Sequence, residues 1–194
     1  MLSNPVSAFK VIAKIVNTWT KIEQTILDEG AQKFADQLQD FLKAVGPELE
    51  EFELKQATSE VLAYQHYRNL TAAEIANGLK VDGISSEPMT FDECYDVAKT
   101  AEADDEFDTM LEWLLIAPLQ EKQTEFVVSR TTVSDADYYK TLAYANFKNN
   151  KVKKAIKIVK KALAIDRVDV KANTDLKFYR KALEEKQRKS LKLV

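Results

Sequence analysis

Few residues in this chain of 194 amino acids could carry out chemistry, and their number limits what that chemistry could be. His66 is the one histidine. Iron sites that need two histidines and a carboxylate, and zinc sites that need two or three histidines, cannot be assembled here, so no catalytic or metal-ligating residue is assigned. A Cys94–His66 pair or a serine–His66–aspartate triad exists only as arithmetic, because these residues fall in helical stretches with no nucleophile turn before them. His66, between Tyr64 and Tyr67, reads as a helix residue whose ring hydrogen-bonds at the surface. Cys94 shares a helical face with Phe91, Val97 and Ala98 and reads as core; as the single cysteine it has no partner for a disulfide within the chain. No glycine-rich phosphate loop is present, and the acidic runs at Glu48–Glu51 and Asp104–Glu106 lack calcium-loop spacing, so they read as solvated helix starts. Asn69-Leu70-Thr71 is an N-glycosylation sequon. What remains is a set suited to binding: Lys140, Thr141, Tyr144 and Phe147, then Lys171, Asp175 and Phe178 at four- and three-residue spacing.

The elements that must position this set are helices. Only 4 Gly and 4 Pro interrupt a composition that is 45% hydrophobic, which predicts long elements with few turns and enough apolar surface for one or two compact units. Ser3 or Asn4 caps a helix opened by Pro5, and Phe9, Ile12, Val16, Trp19, Ile22 and Ile26 keep the period over residues 5–28. Phe34, Leu38, Phe41, Leu42 and Val45 continue it in a second helix ending near Gly46. Pro47 opens a third that runs to about Asn69. Thr71 with Glu74 and Thr90 with Glu93 form capping boxes that open the next two, the first ended by Asn77-Gly78. Residues 79–89, with Gly83, Pro88 and two serines, read as a loop between an N-terminal helical region, 1–78, and a C-terminal unit, 90–194. Residues 124–134 have β-branched content but no partner segment, so they read as a helix end and connector.

The C-terminal unit repeats itself. A shift of 45 residues sets Val97 on Leu142, Ala98 on Ala143, Met110 on Ala155, Leu114 on Val159 and Ala117 on Ala162. Tyr139, Leu142, Ala143, Ala155, Val159 and Ala162 have tetratricopeptide spacing, in which small residues let two antiparallel helices approach closely. A final helix from Val168 to about Leu191 turns Ala172, Leu176, Tyr179 and Leu183 to that pair. The fold class is therefore all-α: a helical region followed by a tetratricopeptide-like helix-pair domain. In such arrays the first helix of each pair lines one surface, which here carries Thr141 and Tyr144 opposite Lys171, Asp175 and Phe178. Aromatic rings with a few polar partners suit an extended proline-rich peptide, which in polyproline II form presents flat rings and free carbonyls.

Charge is divided along the chain. Residues 148–194 hold 16 Lys and Arg against 5 Asp and Glu, whereas the rest holds 12 against 26, so the two parts attract each other. Lys153, Lys154, Lys157, Lys160 and Lys161 fall opposite Ile156, Val159 and Leu163, the pattern of a solvated face. With no aromatic residues among these lysines, nucleic acid is not expected as a partner. No run of about 18 apolar residues exists, and Lys10 and Lys14 interrupt the first apolar stretch, so neither a membrane span nor a signal peptide is expected.

Four segments, NPVSAFKVIAKIVNTWTKIEQTIL, DECYDVAKTAEADDEFDTMLEWL, YYKTLAYANF and ANTDLKFYRKALEE, resemble in order and spacing the N-terminal non-catalytic region of the collagen prolyl 4-hydroxylase α-subunit, over roughly residues 4–188. The resemblance implies a helical segment that contributes to α-subunit dimerisation, followed by a domain that binds proline-rich, procollagen-like peptides, as the non-catalytic substrate-recognition part of such a subunit or as a free-standing relative. It further implies protein disulfide isomerase as a partner and the endoplasmic reticulum lumen as location. Fe(II), 2-oxoglutarate and ascorbate would belong to a catalytic domain further along such a subunit, and no cofactor is expected here. The family's peptide-binding tyrosines fall on Thr141, Tyr144 and Phe178, its groove arginine on Lys171 and its groove asparagine on Asp175. Phe178 keeps a ring without the hydroxyl, Lys171 a charge without the planar fork, and Asp175 only acceptors. From another class, the alternative is a helical scaffold that holds a partner protein and has no role in hydroxylation.

Overall fold

A computed structural model describes residues 4–13, 47–81, 83–123 and 133–191. The expected helix beyond residue 13, the second helix to Gly46 and most of the 124–134 connector lie outside the described residues. Within them the chain is helical apart from one small hairpin. Helix α1 covers residues 5–13, and Asn4 caps it, its Oδ1 accepting from the Val6 and Ser7 amides at 3.0 and 3.2 Å. Then come α2, Pro47–Arg68, and α3, Ala72–Ala76. Thr71 and Glu74 form the expected capping box on α3. Helices α4, Phe91–Ala103, and α5, Phe107–Gln123, make one antiparallel pair, and α6, Asp135–Lys148, and α7, Val152–Ile165, make the next; α8, Val170–Leu191, packs on α7. The Thr90–Glu93 capping box opens α4 as its sequence predicts.

The small residues of the repeat are where close approach demands them. Ala98, Ala101, Ala143, Ala155 and Ala162 have no exposed surface, and Cys94 lies among them. Its thiol is pushed up from the ordinary value by burial, consistent with an inert core residue. Ala172 and Tyr179 turn inward from α8, with Leu176 and Leu183 partly buried beside them. The lysines at 153, 154, 157, 160 and 161 are all exposed on α7, opposite buried Ala155, Ile158, Val159 and Ala162.

Residues 79–89 differ from the expected irregular loop. They hold a two-stranded antiparallel hairpin, β1 Lys80–Val81 and β2 Ile84–Ser85, with Val81 opposite Ile84. With Val81 opposite Ile84 the reversal is tight, and Gly83 takes φ +81°, a left-handed conformation that glycine adopts without strain. Gly78, at φ +107°, lets the chain pass close to β2: a Cβ there would stand 2.9 Å from the Ser86 carbonyl. The hairpin is anchored on both sides, by Asn4 Nδ2 donating to the Leu79 carbonyl at 2.9 Å and by buried Leu79 and Met89.

Helix α5 carries Pro118 in its interior. A proline cannot donate to the carbonyl four residues back, so the Leu114 oxygen is left without its helical partner. The Tyr138 hydroxyl on α6 takes that place, donating to the Leu114 oxygen at 2.9 Å in a buried setting. A second set of polar contacts joins α2 and α3 to α5. Gln65 Oε1 accepts from Trp113 Nε1 at 2.8 Å, while Glu112 accepts from Gln65 Nε2 at 3.2 Å and from the Ala72 amide at 2.8 Å. With Thr58 and Thr100 bonded at 2.6 Å between α2 and α4, the N-terminal helices and the helix pairs are parts of one packed body.

Candidate peptide-binding face

The expected binding residues lie along α6 and α8, and one further residue joins them from α4. Thr141 is engaged by Tyr95, hydroxyl to hydroxyl, at 2.8 Å. Burial raises the Tyr95 phenol above its ordinary value, and the Thr141 contact works against that shift. Tyr95 was absent from the expected set because its role depends on how two repeats stack, although its aromatic type one helix earlier was a usable signal.

Tyr144 is half-covered. Its ring meets Phe107 edge-on, with centroids 6.0 Å apart, and the Lys148 ammonium stands 5.5 Å from the Tyr144 centroid and 4.4 Å from that of Phe107. Phe178 is open, with 57% of its surface exposed. Its ring lies 5.2 Å from Phe147, which in turn stacks on buried Tyr179 at 4.6 Å. The rings of Tyr144 and Phe178 make no direct contact.

Charge on this face comes from α6, from Asp169 just before α8, and from α8 itself. Lys140 bridges Asp169 at 2.7 Å and Asp137 at 2.9 Å, and those two hydrogen bonds hold its ammonium above the usual lysine range. Asp169 is held below its ordinary value, first by the Ala172 amide and then by Lys140. Asp175 behaves the opposite way. Burial pushes its carboxyl up and the nearby Lys171 only partly offsets this. Lys171 itself is exposed. Asp175 and Tyr144 both act on the Tyr179 hydroxyl, which burial first and these two neighbours second push up, so the three share one electrostatic neighbourhood.

Away from this face, His66 is exposed and its Nε2 lies 3.2 Å from Glu106 Oε2, matching a surface ring with a polar partner. Asn69 is exposed just past the end of α2, at φ +52°. Among the described residues, no group of three or more His, Cys, Asp or Glu side chains is placed to hold a metal ion, and no helix is long and apolar enough to cross a membrane.

A family model for the prolyl 4-hydroxylase peptide-substrate-binding domain matches residues 91–185, which span α4 to most of α8 and include every residue of this face. A second, for the N-terminal region of the prolyl 4-hydroxylase alpha subunit, matches residues 1–82. The chain belongs to the prolyl 4-hydroxylase alpha-subunit family. Among its relatives, subunit alpha-2 of Gallus gallus is 22% identical over 188 residues, which cover 97% of this chain and 34% of that protein. Subunit alpha-1 of Bos taurus is 27% identical over 179 residues, 92% of this chain and 32% of the relative, and alpha-1 of Homo sapiens is 25% identical over the same shares. The chain thus spans about a third of the length of the alpha subunits it matches. It corresponds to their N-terminal, non-catalytic portion, as the order of its four resembling segments implies.

Proposed function

We propose that this chain binds proline-rich, procollagen-like peptides across α4, α6 and α8, as the substrate-recognition part of a prolyl 4-hydroxylase alpha subunit. The observation that carries this reading is the coincidence of the peptide-substrate-binding match with a face of aromatic and polar side chains on the first helix of each pair. Tyr144 and Phe178 supply ring faces for pyrrolidine rings, and Lys171 supplies a donor for the free carbonyls of a polyproline II strand. Thr141 is held by Tyr95 and acts through the shape of the face.

Hydroxylation itself is assigned to residues outside these 194, because a single histidine cannot complete an iron site. Fe(II), 2-oxoglutarate and ascorbate serve that other domain. The same reading places the protein in the endoplasmic reticulum lumen, with a second alpha subunit and protein disulfide isomerase as partners and Asn69 open to glycan attachment. Mapping amide shifts by NMR on titration with a (Pro-Pro-Gly)-type peptide tests the face: changes centred on Tyr144, Lys171 and Phe178 are expected. Changes confined to the exposed lysines of α7, or none anywhere, would favour a helical scaffold with no part in hydroxylation.

A further inference from the structure

At the C-terminal end of α2 most polar and aromatic side chains have partners. The Arg68 guanidinium lies over the Tyr64 ring, 5.9 Å from its centroid, and His66 Nε2 lies 3.2 Å from Glu106 Oε2. Tyr67 and Asn69 are different. Tyr67 is 83% exposed, and among the described residues its ring meets no other ring and no cation. The Asn69 side chain is exposed as well and makes no hydrogen bond among the described residues. The Asn69 backbone, by contrast, is fixed. The Leu70 amide donates to the Gln65 carbonyl at 3.0 Å and the Asn69 amide to the His66 carbonyl at 3.2 Å, the two bonds that close a helix on a left-handed residue, here Asn69 at φ +52°. Leu70 packs against the core, so Asn69 and Thr71 on either side of it face solvent.

Asn69-Leu70-Thr71 is an acceptor triplet for an N-linked glycan. Tyr67 precedes the acceptor by two residues, so their Cα atoms are at most about 7.6 Å apart, within the span of an asparagine side chain and one sugar ring. An N-acetylglucosamine presents a patch of weakly positive C–H groups on one side, and the face of a phenol ring carries the negative part of its quadrupole. Sugar and ring therefore fit, and a ring left in water gains cover.

We propose that Tyr67 is the platform on which the first N-acetylglucosamine of a glycan on Asn69 rests, so that sugar covers the end of α2. This deepens the reading of Asn69 given above and rests on passage through the endoplasmic reticulum lumen, where a lipid-pyrophosphate-linked oligosaccharide is the donor. In the transfer, Asn69 Nδ2 bonds to the anomeric carbon of that N-acetylglucosamine and the bond from this carbon to the pyrophosphate oxygen breaks. One amide proton passes to a base of the transferase, the lipid pyrophosphate leaves, and nothing is oxidised or reduced. In the folded chain the Thr71 hydroxyl of the triplet is engaged, donating to Glu74 Oε2 at 2.7 Å and accepting from the Glu74 amide at 3.3 Å, so transfer precedes closure of the α3 capping box.

The test directs the whole chain, behind an added signal sequence, through the secretory pathway of a eukaryotic cell. Parent, Tyr67→Ala and Tyr67→Phe are compared before and after peptide-N-glycosidase, which releases the glycan and leaves an aspartate in every case, so that differences among the three isolate the ring. All three should carry glycan on Asn69 by mass spectrometry. Glycan removal should lower the Tm of the parent and of Tyr67→Phe by about 2–4 °C, and that of Tyr67→Ala by about 1 °C or less. In the parent, protons of the first sugar should show upfield ring-current shifts by NMR that Tyr67→Ala abolishes. An equal loss of Tm in all three, or no ring-current shift in the parent, would overturn the role of Tyr67 while leaving the glycan in place. A folded, secreted parent with Asn69 unmodified would overturn the inference as a whole. Because the added signal delivers the chain whatever its own destination, that result would leave the location reading standing.

Discussion

Replacing Glu112 by Ala should show that the two matched regions fold as one unit. Glu112 accepts from the Ala72 amide at 2.8 Å and from Gln65 Nε2 at 3.2 Å. The Ala72 amide is one of the donors at the start of α3 with no partner inside the helix, and Ala72 is wholly buried. Gln65, 4% exposed, is fixed by this contact so that its Oε1 can accept from Trp113. Truncation leaves a buried amide unsatisfied and loosens a second hydrogen bond, each worth about 1–2 kcal/mol when one side is charged. A loss of about 2–4 kcal/mol is therefore expected, which in a protein of this size lowers Tm by roughly 5–15 °C. Glu112→Gln keeps an acceptor in place and should lose only about 1 kcal/mol. Urea unfolding followed by both far-ultraviolet circular dichroism and Trp fluorescence reads the effect. One cooperative transition should shift as a whole. Two separated transitions, or an Ala variant within about 1 kcal/mol of the parent, would refute the view that α2 and α3 share a core with α5.

Other outcomes follow from buried polar groups. Tyr138→Phe removes the donor that serves the carbonyl freed by Pro118 and should destabilise the chain by about 1–3 kcal/mol, measured as a urea midpoint shift without change in slope. A neutral effect would mean that the Leu114 oxygen has another partner. Burial, with Asp92 and Glu93 adding to it, pushes Asp96 up to about 7. Its folded value lies above its unfolded one, so the native state is favoured at low pH and loses stability as pH rises from about 4 to 7, by no more than about 4 kcal/mol. Asp96→Asn should accordingly raise stability at pH 8 and change little at pH 4. A difference between variant and parent that is the same at both pH values would contradict that assignment.

The helix starts at Thr71 and Thr90 were legible because a capping box is closed within four residues and owes nothing to the rest of the fold. The repeat was legible for a related reason: helices that pack closely must place alanine at fixed intervals, and Ala98, Ala143, Ala155 and Ala162 do so. The hairpin at 80–85 escaped notice because two-residue strands carry almost no periodic signal, even though Asp82-Gly83 between two β-branched residues was there to be read. Tyr138 could not have been assigned to the Leu114 carbonyl, since that pairing depends on how α6 lies across the interruption at Pro118. The face was legible as a set of residues but not as a surface. Covering of Tyr144 by Phe107 and engagement of Thr141 by Tyr95 arise from contacts between helices more than 25 residues apart in the chain, and the raised Asp175 and Tyr179 groups arise from burial.

Calorimetric titration of the chain and of its Tyr144→Ala variant with a (Pro-Pro-Gly)-type peptide tests the central claim most directly. Micromolar to millimolar affinity is expected for the parent, corresponding to roughly −4 to −8 kcal/mol, and the variant should lose most of it while its helical circular dichroism is unchanged. Equal affinity in parent and variant, or no binding by a parent that is folded, would contradict the claim.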